Sequence, residues 1–260
     1  MGDAIRLVAS DIDGTLLPYG ESAIPAEIFE EIGRLEQKGI LFCPASGRQY
    51  TSLRKLFAPV ADRVPFLCEN GAVVYGPGSP GPVLGKTVMD REAALALARE
   101  IHARPGLEAL ISGANTSYLC PKGADIAPLV RDFVGNNTVV LARPEEMPED
   151  IVKVSAYCPD GNPAAVLAGL DPRWGQTFQA AVAGEVWLDF TLADKGRGLT
   201  QLCAALGIGL DEVMAFGDNF NDVPMLSIAG RPYLMENAAP ALKARFPVRC
   251  GRVADVLRTL

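Results

Sequence analysis

The chain has 260 residues, 49% of them hydrophobic and 21% charged, with a net charge of −7 at pH 7. That length supports one large domain or two smaller ones around a sizeable core. The negative balance disfavours a general nucleic-acid binder, which needs cations to meet phosphate backbones, and no apolar run approaches the length of a membrane span.

The first element is a short buried strand over residues 5–10, entered directly from the N-terminus with no signal-peptide pattern. It ends in Asp11-Ile12-Asp13-Gly14-Thr15. A helix follows in "IPAEIFEEIGRLEQKG", where Ile28, Ile32 and Leu35 recur at helical spacing, Pro25 stands near the start and Gly39 just past the end. A second buried strand, residues 40–43, leads through Pro44-Ala45 to Ser46-Gly47-Arg48. Residues 49–57 read as a short helix, and "PFLCENGAVVYG" as strand, Asn-Gly turn, strand.

The composition then breaks at "GPGSPGPVLG", a linker or hairpin margin. Its Gly76, Gly78 and Gly81 spell a literal G-x-G-x-x-G, but two prolines lie within it and no helical run follows to offer an N-terminus to a pyrophosphate, so a dinucleotide site is rejected. Residues 83–187 mix a helix at 90–103, strands near 107–120, a helix at 125–134, a strand at 151–158, a helix at 163–170 and strands near 176–190. Strand–helix alternation returns in "KGRGLTQLCAALG", with Leu199, Leu202 and Leu206 on one face, then "EVMAFGD" and a final helix "RVADVLRTL". Alternation, interruption and alternation predict an α/β fold: a Rossmann-like, doubly wound parallel-sheet core (1–82 and 188–260) with an inserted α+β domain (83–187).

Six cysteines (43, 68, 120, 158, 203 and 250) lie mostly in apolar segments without C-x-x-C spacing, the pattern of reduced core thiols in a cytoplasmic protein. Two glycosylation-type sequons, at Asn115 and Asn136, would then go unused. The lone histidine, His102, reads as a surface residue of a helix, and its solitude excludes a histidine triad or a multi-histidine metal site.

Three core strands end in polar clusters: Asp11–Thr15, Ser46–Arg48, and Gly217-Asp218-Asn219-Phe220-Asn221-Asp222. In open parallel sheets ligands bind beyond the carboxyl ends of the strands, so these clusters should converge, and Lys195 at a helix start joins the same edge. Four carboxylates there (Asp11, Asp13, Asp218, Asp222) repel one another unless a divalent cation relieves them, and such oxygen ligands suit Mg2+. The Ser46 hydroxyl, backbone N–H groups around Gly47 and the Lys195 ammonium are donors for phosphate. Acids, cation and phosphate binders together point to phosphoryl transfer. An ordinary turn explains Asp-x-Asp-Gly alone, and a helix cap explains part of Gly217–Asp222; neither explains the set.

These motifs resemble the haloacid dehalogenase-like (HAD) phosphohydrolases: "DIDGTLL" is similar to the first motif of that family, "ASGR" to the second, Lys195 to the third and "GDNFND" to the fourth. The wording "ASGRQYTSLRKLF" and "CENGAVVY" is similar to the Cof-type branch, subfamily IIB, and the insert resembles a C2-type cap. One departure is Ser10, where a bulkier apolar residue is common. The resemblance implies that Asp11 is a nucleophile forming an aspartyl-phosphate and Asp13 a general acid/base. Ser46, Gly47, Arg48 and Lys195 would bind phosphate. Mg2+ would rest on Asp11, the Asp13 carbonyl and Asp218, with Asn221 and Asp222 in support. The expected activity is hydrolysis of a small phosphorylated metabolite, such as a sugar phosphate, without nucleic-acid or membrane partners. A phosphomutase or phosphotransferase and a non-catalytic phosphometabolite-binding protein remain as alternatives. The oligomeric state is open, a monomer being compatible with the sequence.

Overall fold

The computed structural model describes residues 4–18, 21, 23–123, 125–183 and 185–260. In chain order its elements are β1 (Leu7–Ser10), α1 (Ala26–Gln37), β2 (Leu41–Pro44), α2 (Tyr50–Leu56), β3 (Phe66–Cys68), β4 (Val73–Tyr75) and β5 (Val83–Lys86). There follow α3 (Arg91–Ala103), β6 (Glu108–Ser112), β7 (Ser117–Leu119), the short α4 (Ile126–Pro128), β8 (Thr138–Val140), β9 (Lys153–Tyr157), α5 (Pro163–Gly169), α6 (Arg173–Thr177), β10 (Gln179–Ala183) and β11 (Trp187–Thr191). The last group is α7 (Lys195–Leu206), β12 (Val213–Gly217), α8 (Val223–Ile228), β13 (Arg231–Met235), α9 (Pro240–Arg245), β14 (Arg249–Cys250) and α10 (Val253–Leu257).

Two compact units emerge. The first comprises residues 1–48, 53–85 and 194–260. Its main sheet has the order β14-β13-β12-β1-β2 with every pairing parallel. One face presents Leu7, Ala9, Val213 and Ala215 to Leu199, Leu202, Met225 and Leu226 of α7 and α8. The alternate residues Val8, Phe42, Met214 and Phe216 are buried as well. Burial on both faces is why these strands read as continuous apolar runs. The predicted α1 forms with Ile28, Ile32 and Leu35 buried, and Gly39 follows it at φ +74°. A small sheet β3-β4-β5 completes the unit. The G-x-G-x-x-G glycines fall between β4 and β5, so a strand rather than a helix follows them.

The second unit comprises residues 49–52 and 86–193. It carries a sheet of order β10-β11-β9-β6-β7-β8, antiparallel except for the parallel β7–β8 pair. Its boundaries differ from the expected 83–187. β11 pairs with β9 and β10, so residues 188–193 belong with the insert, and β5 joins the first unit. Residues 49–52 enter the second unit through polar contacts: Gln49 Nε2 donates to Ser117 Oγ (3.1 Å), and Asn137 N donates to Gln49 Oε1 (2.7 Å). Thr51 N donates to Asn115 Oδ1 (2.9 Å). Asn115 and Asn136, the sequon asparagines, are both hydrogen-bonded in this network. His102 lies on α3 as expected but is half-buried, with Nδ1 enclosed. All six cysteines are free and buried. No described helix is long and apolar enough to cross a membrane.

Candidate active site

The site is assembled inside the first unit, at the carboxyl ends of β1, β2 and β12. Asp11 follows β1 directly, and its N–H donates to Phe216 O (2.9 Å), extending the β1–β12 pairing by one residue. Its neighbour Ser10 is fully buried. The Ser10 hydroxyl donates to Asp11 O (2.8 Å), which satisfies this buried polar group.

Lys195 is the first residue of α7. Asp194 caps that helix by accepting from Arg197 N (2.8 Å). The glycines of "KGRG" let the helix approach: a Cβ on Gly198 would stand 2.6 Å from Gly71 Cα, and one on Gly196 2.7 Å from Pro224 O. The approach delivers a fully buried ammonium, and Lys195 Nζ donates to Asp11 Oδ1 and to Asp222 Oδ1, each at 2.5 Å. Asp222 uses its other oxygen on the loop itself, accepting from Asp218 N (2.9 Å) and Asn219 N (3.0 Å). Gly217 permits this return, since a Cβ there would lie 2.5 Å from that of Asp222. Asp218 Oδ1 accepts from the buried Thr15 hydroxyl (3.3 Å).

Asp11, Asp218 and Asp222 each place a carboxylate oxygen within 4.8 Å of the others. One ammonium against three carboxylates leaves two negative charges in a buried place, and an all-oxygen donor set of this kind fits a hard divalent ion. Burial, then the Asp222 charge, pushes the Asp11 carboxyl up to about 7, with Lys195 pulling the other way. Burial works against the Lys195 ammonium, but Asp11 and Asp222 hold it above the usual lysine range.

Asp13 is set apart. Gly14, at φ +89°, turns the chain away, and Asn237 Nδ2 fixes the Gly14 carbonyl (2.8 Å). The Asp13 carboxylate is gripped by Arg48 in a fork, Nη2–Oδ1 2.6 Å and Nε–Oδ2 3.1 Å. Arg48, expected to bind phosphate, thus has its guanidinium on Asp13. Ser46 is buried, and its Oγ accepts from Arg48 N (3.2 Å). Asn221 is exposed and donates to Asn70 Oδ1 (3.4 Å).

Asp11, Asp218, Asp222 and Lys195 therefore meet, Asp13 and Arg48 pair with each other, and Ser46 and Gly47 line the adjoining loop. Sequence reasoning passed over Thr15, Asn237 and Asn70. Thr15 stood inside the first motif; the other two are brought in by tertiary contact alone.

The haloacid dehalogenase-like hydrolase family model matches residues 8–254. The chain belongs to that family. Among relatives, the 5-amino-6-(5-phospho-D-ribitylamino)uracil phosphatase YbjI of Escherichia coli (strain K12) is 28% identical over 250 residues, covering 95% of this chain and 91% of the relative. The pyridoxal phosphate phosphatase YbhA of the same organism is 27% identical over 268 residues, covering 95% and 93%. A solved structure from Eubacterium rectale superimposes with a TM-score of 0.83 at 29% identity, covering 98% of both chains. The fold is also that of the HAD subclass IIB sugar phosphatase BT4131, with a TM-score of 0.77 at 21% identity and 98% of both chains covered. The chain is thus a HAD-type phosphoric monoester hydrolase.

Proposed function

We propose that this hydrolase is a Mg2+-dependent phosphatase that releases phosphate from a small phosphorylated metabolite through an aspartyl-phosphate on Asp11. The observation that carries the reading is the buried Lys195 ammonium, 2.5 Å from both Asp11 and Asp222 at the end of β1. It orients the Asp11 carboxylate and offers positive charge where phosphoryl oxygens would lie. Asp11, Asp218 and the Asp13 carbonyl would hold Mg2+, with Asp222 and Asn221 supporting the loop. When bound, the ion supplies charge neutralisation to carboxylate and phosphate oxygens.

In the first half-reaction an Asp11 oxygen attacks phosphorus, the bond from phosphorus to the ester oxygen breaks, and Asp13 gives its proton to the departing alkoxide. In the second, Asp13 takes a proton from water, the water oxygen attacks phosphorus, and the phosphorus–Asp11 bond breaks to free inorganic phosphate. Ser46 and the N–H groups of its loop would hold the phosphoryl oxygens. Arg48 orients Asp13 by its two-pronged contact. The activities of the relatives YbjI and YbhA support a phosphorylated metabolite as substrate, and a sugar phosphate is the first class to assay. Buried, free cysteines support a cytoplasmic setting.

The test is phosphate release from p-nitrophenyl phosphate with Mg2+. Asp11→Asn should lower kcat by about a thousandfold or more, and full activity in that variant refutes the nucleophile. Movement of the phosphoryl group to a sugar hydroxyl without free phosphate would establish a transferase instead.

A further inference from the structure

The turn Glu69–Asn70–Gly71 between β3 and β4 has no part in the chemistry assigned above. All three residues have positive φ: 51°, 56° and 88°. Only glycine takes this region freely, so two consecutive side-chain-bearing residues are held in a strained backbone. Such strain persists where the surroundings over-determine it, and here three sets of contacts do so.

Along the backbone, Glu69 N donates to Arg48 O (3.1 Å) and Asn70 N donates to Ser46 O (2.9 Å), which fastens the turn to the loop of Ser46 and Gly47. At Gly71 a Cβ would stand 2.4 Å from Asp194 O and 3.2 Å from Gly198 Cα, so the start of α7, with Lys195, rests directly on the turn. The Asn70 carboxamide makes the third set. It covers Gly47, where a Cβ would lie 3.2 Å from Nδ2 and 3.3 Å from Oδ1, and its Oδ1 accepts from Asn221 Nδ2 (3.4 Å). One three-residue turn thus touches the phosphate loop, the lysine helix and the acidic loop.

We propose that Asn70 is a positioning residue: its carboxamide sets the spacing between the Ser46–Gly47 loop and Asn221, and so fixes where a phosphoryl group lies relative to Asp11. The inference rests on the reading of this site as a phosphoryl-transfer centre. A second possibility is that the turn only completes the fold, and Asn70→Gly separates the two, because glycine keeps the positive φ and removes the carboxamide alone.

The experiment compares wild type, Asn70→Gly, Asn221→Ala and the double variant by calorimetric binding of inorganic phosphate with Mg2+, by p-nitrophenyl phosphate kinetics and by thermal melting. Asn70→Gly is expected to melt within about 2 °C of wild type while phosphate affinity and kcat/KM fall about tenfold. The double variant should be no worse than the more affected single variant, as for two partners in one contact. Wild-type phosphate affinity in Asn70→Gly, losses that multiply in the double variant, or a drop in melting temperature that accounts for the lost binding would each overturn the proposal. If the wild-type protein binds phosphate without hydrolysing the ester, the hydrolase mechanism falls and the phosphate affinities alone decide on Asn70. If it does neither, both fall.

Discussion

Asp11 sits where its own charge is disfavoured. Its ordinary pKa of 3.8 is pushed up to about 7, first by burial and then by Asp222. A raised carboxyl pKa means that the folded protein binds more protons than the unfolded chain between those values. The contribution of Asp11 to stability is therefore full below about pH 4 and is lost as pH rises through about 7. Lys195, held above its usual range, keeps its contribution throughout this window. In a chelator, the melting temperature should fall from pH 5 to pH 8, and Asp11→Asn should flatten that slope; an unchanged slope in the variant would remove Asp11 as its source. The carboxylates and Lys195 were legible in the sequence because each ends a strand or begins a helix. The pairing of Arg48 with Asp13 was not, since a strand-end arginine reads equally as a phosphate ligand until its tertiary partner is known.

Elements carry the site through close backbone approach. α7 reaches Asp11 only because Gly198 lies against Gly71, two backbones with no side chain between them to yield. Gly198→Ala should destabilise the protein by about 1–3 kcal/mol through overpacking, and should lower kcat by about a hundredfold if Lys195 shifts by an ångström. Gly33 provides the control. It lies within α1, where an added Cβ meets nothing within 4 Å, so Gly33→Ala should stabilise by about 0.5–1 kcal/mol and leave kcat unchanged. Chemical denaturation and steady-state kinetics on both variants check this contrast. The helix over "KGRGLTQLCAALG" was evident from its leucine spacing, but the reason for its two glycines was not, because neither Pro224 nor Gly71 is near them in sequence. The run at 187–191 shows another limit. β11 has the same apolar character as a core strand, and only its antiparallel pairing with β9 and β10 assigns it to the second unit.

For the whole molecule, three buried carboxylates against one ammonium make the folded state a better partner for a divalent cation than the unfolded chain. An ion bound only by the native state stabilises it by about 2.7 kcal/mol at a hundred times its dissociation constant. For a chain of this size that is worth about 5–10 °C in melting temperature. Mg2+ should raise the melting temperature of the wild type by that amount and of Asp218→Asn by much less; an equal rise in both would place the ion elsewhere. The α/β alternation and its interruption foretold both the parallel sheet and the insert, because those patterns follow from which faces are buried. The sheet order β14-β13-β12-β1-β2 has a further consequence, for the birth of the protein on the ribosome. β1 pairs with β12, and Asp11 and Lys195 lie 184 positions apart. Contacts so distant in sequence form slowly and late. A nascent chain has exposed Asp11 long before Lys195 and the acidic loop exist, so the proposed nucleophile gains its charged partners only late in synthesis.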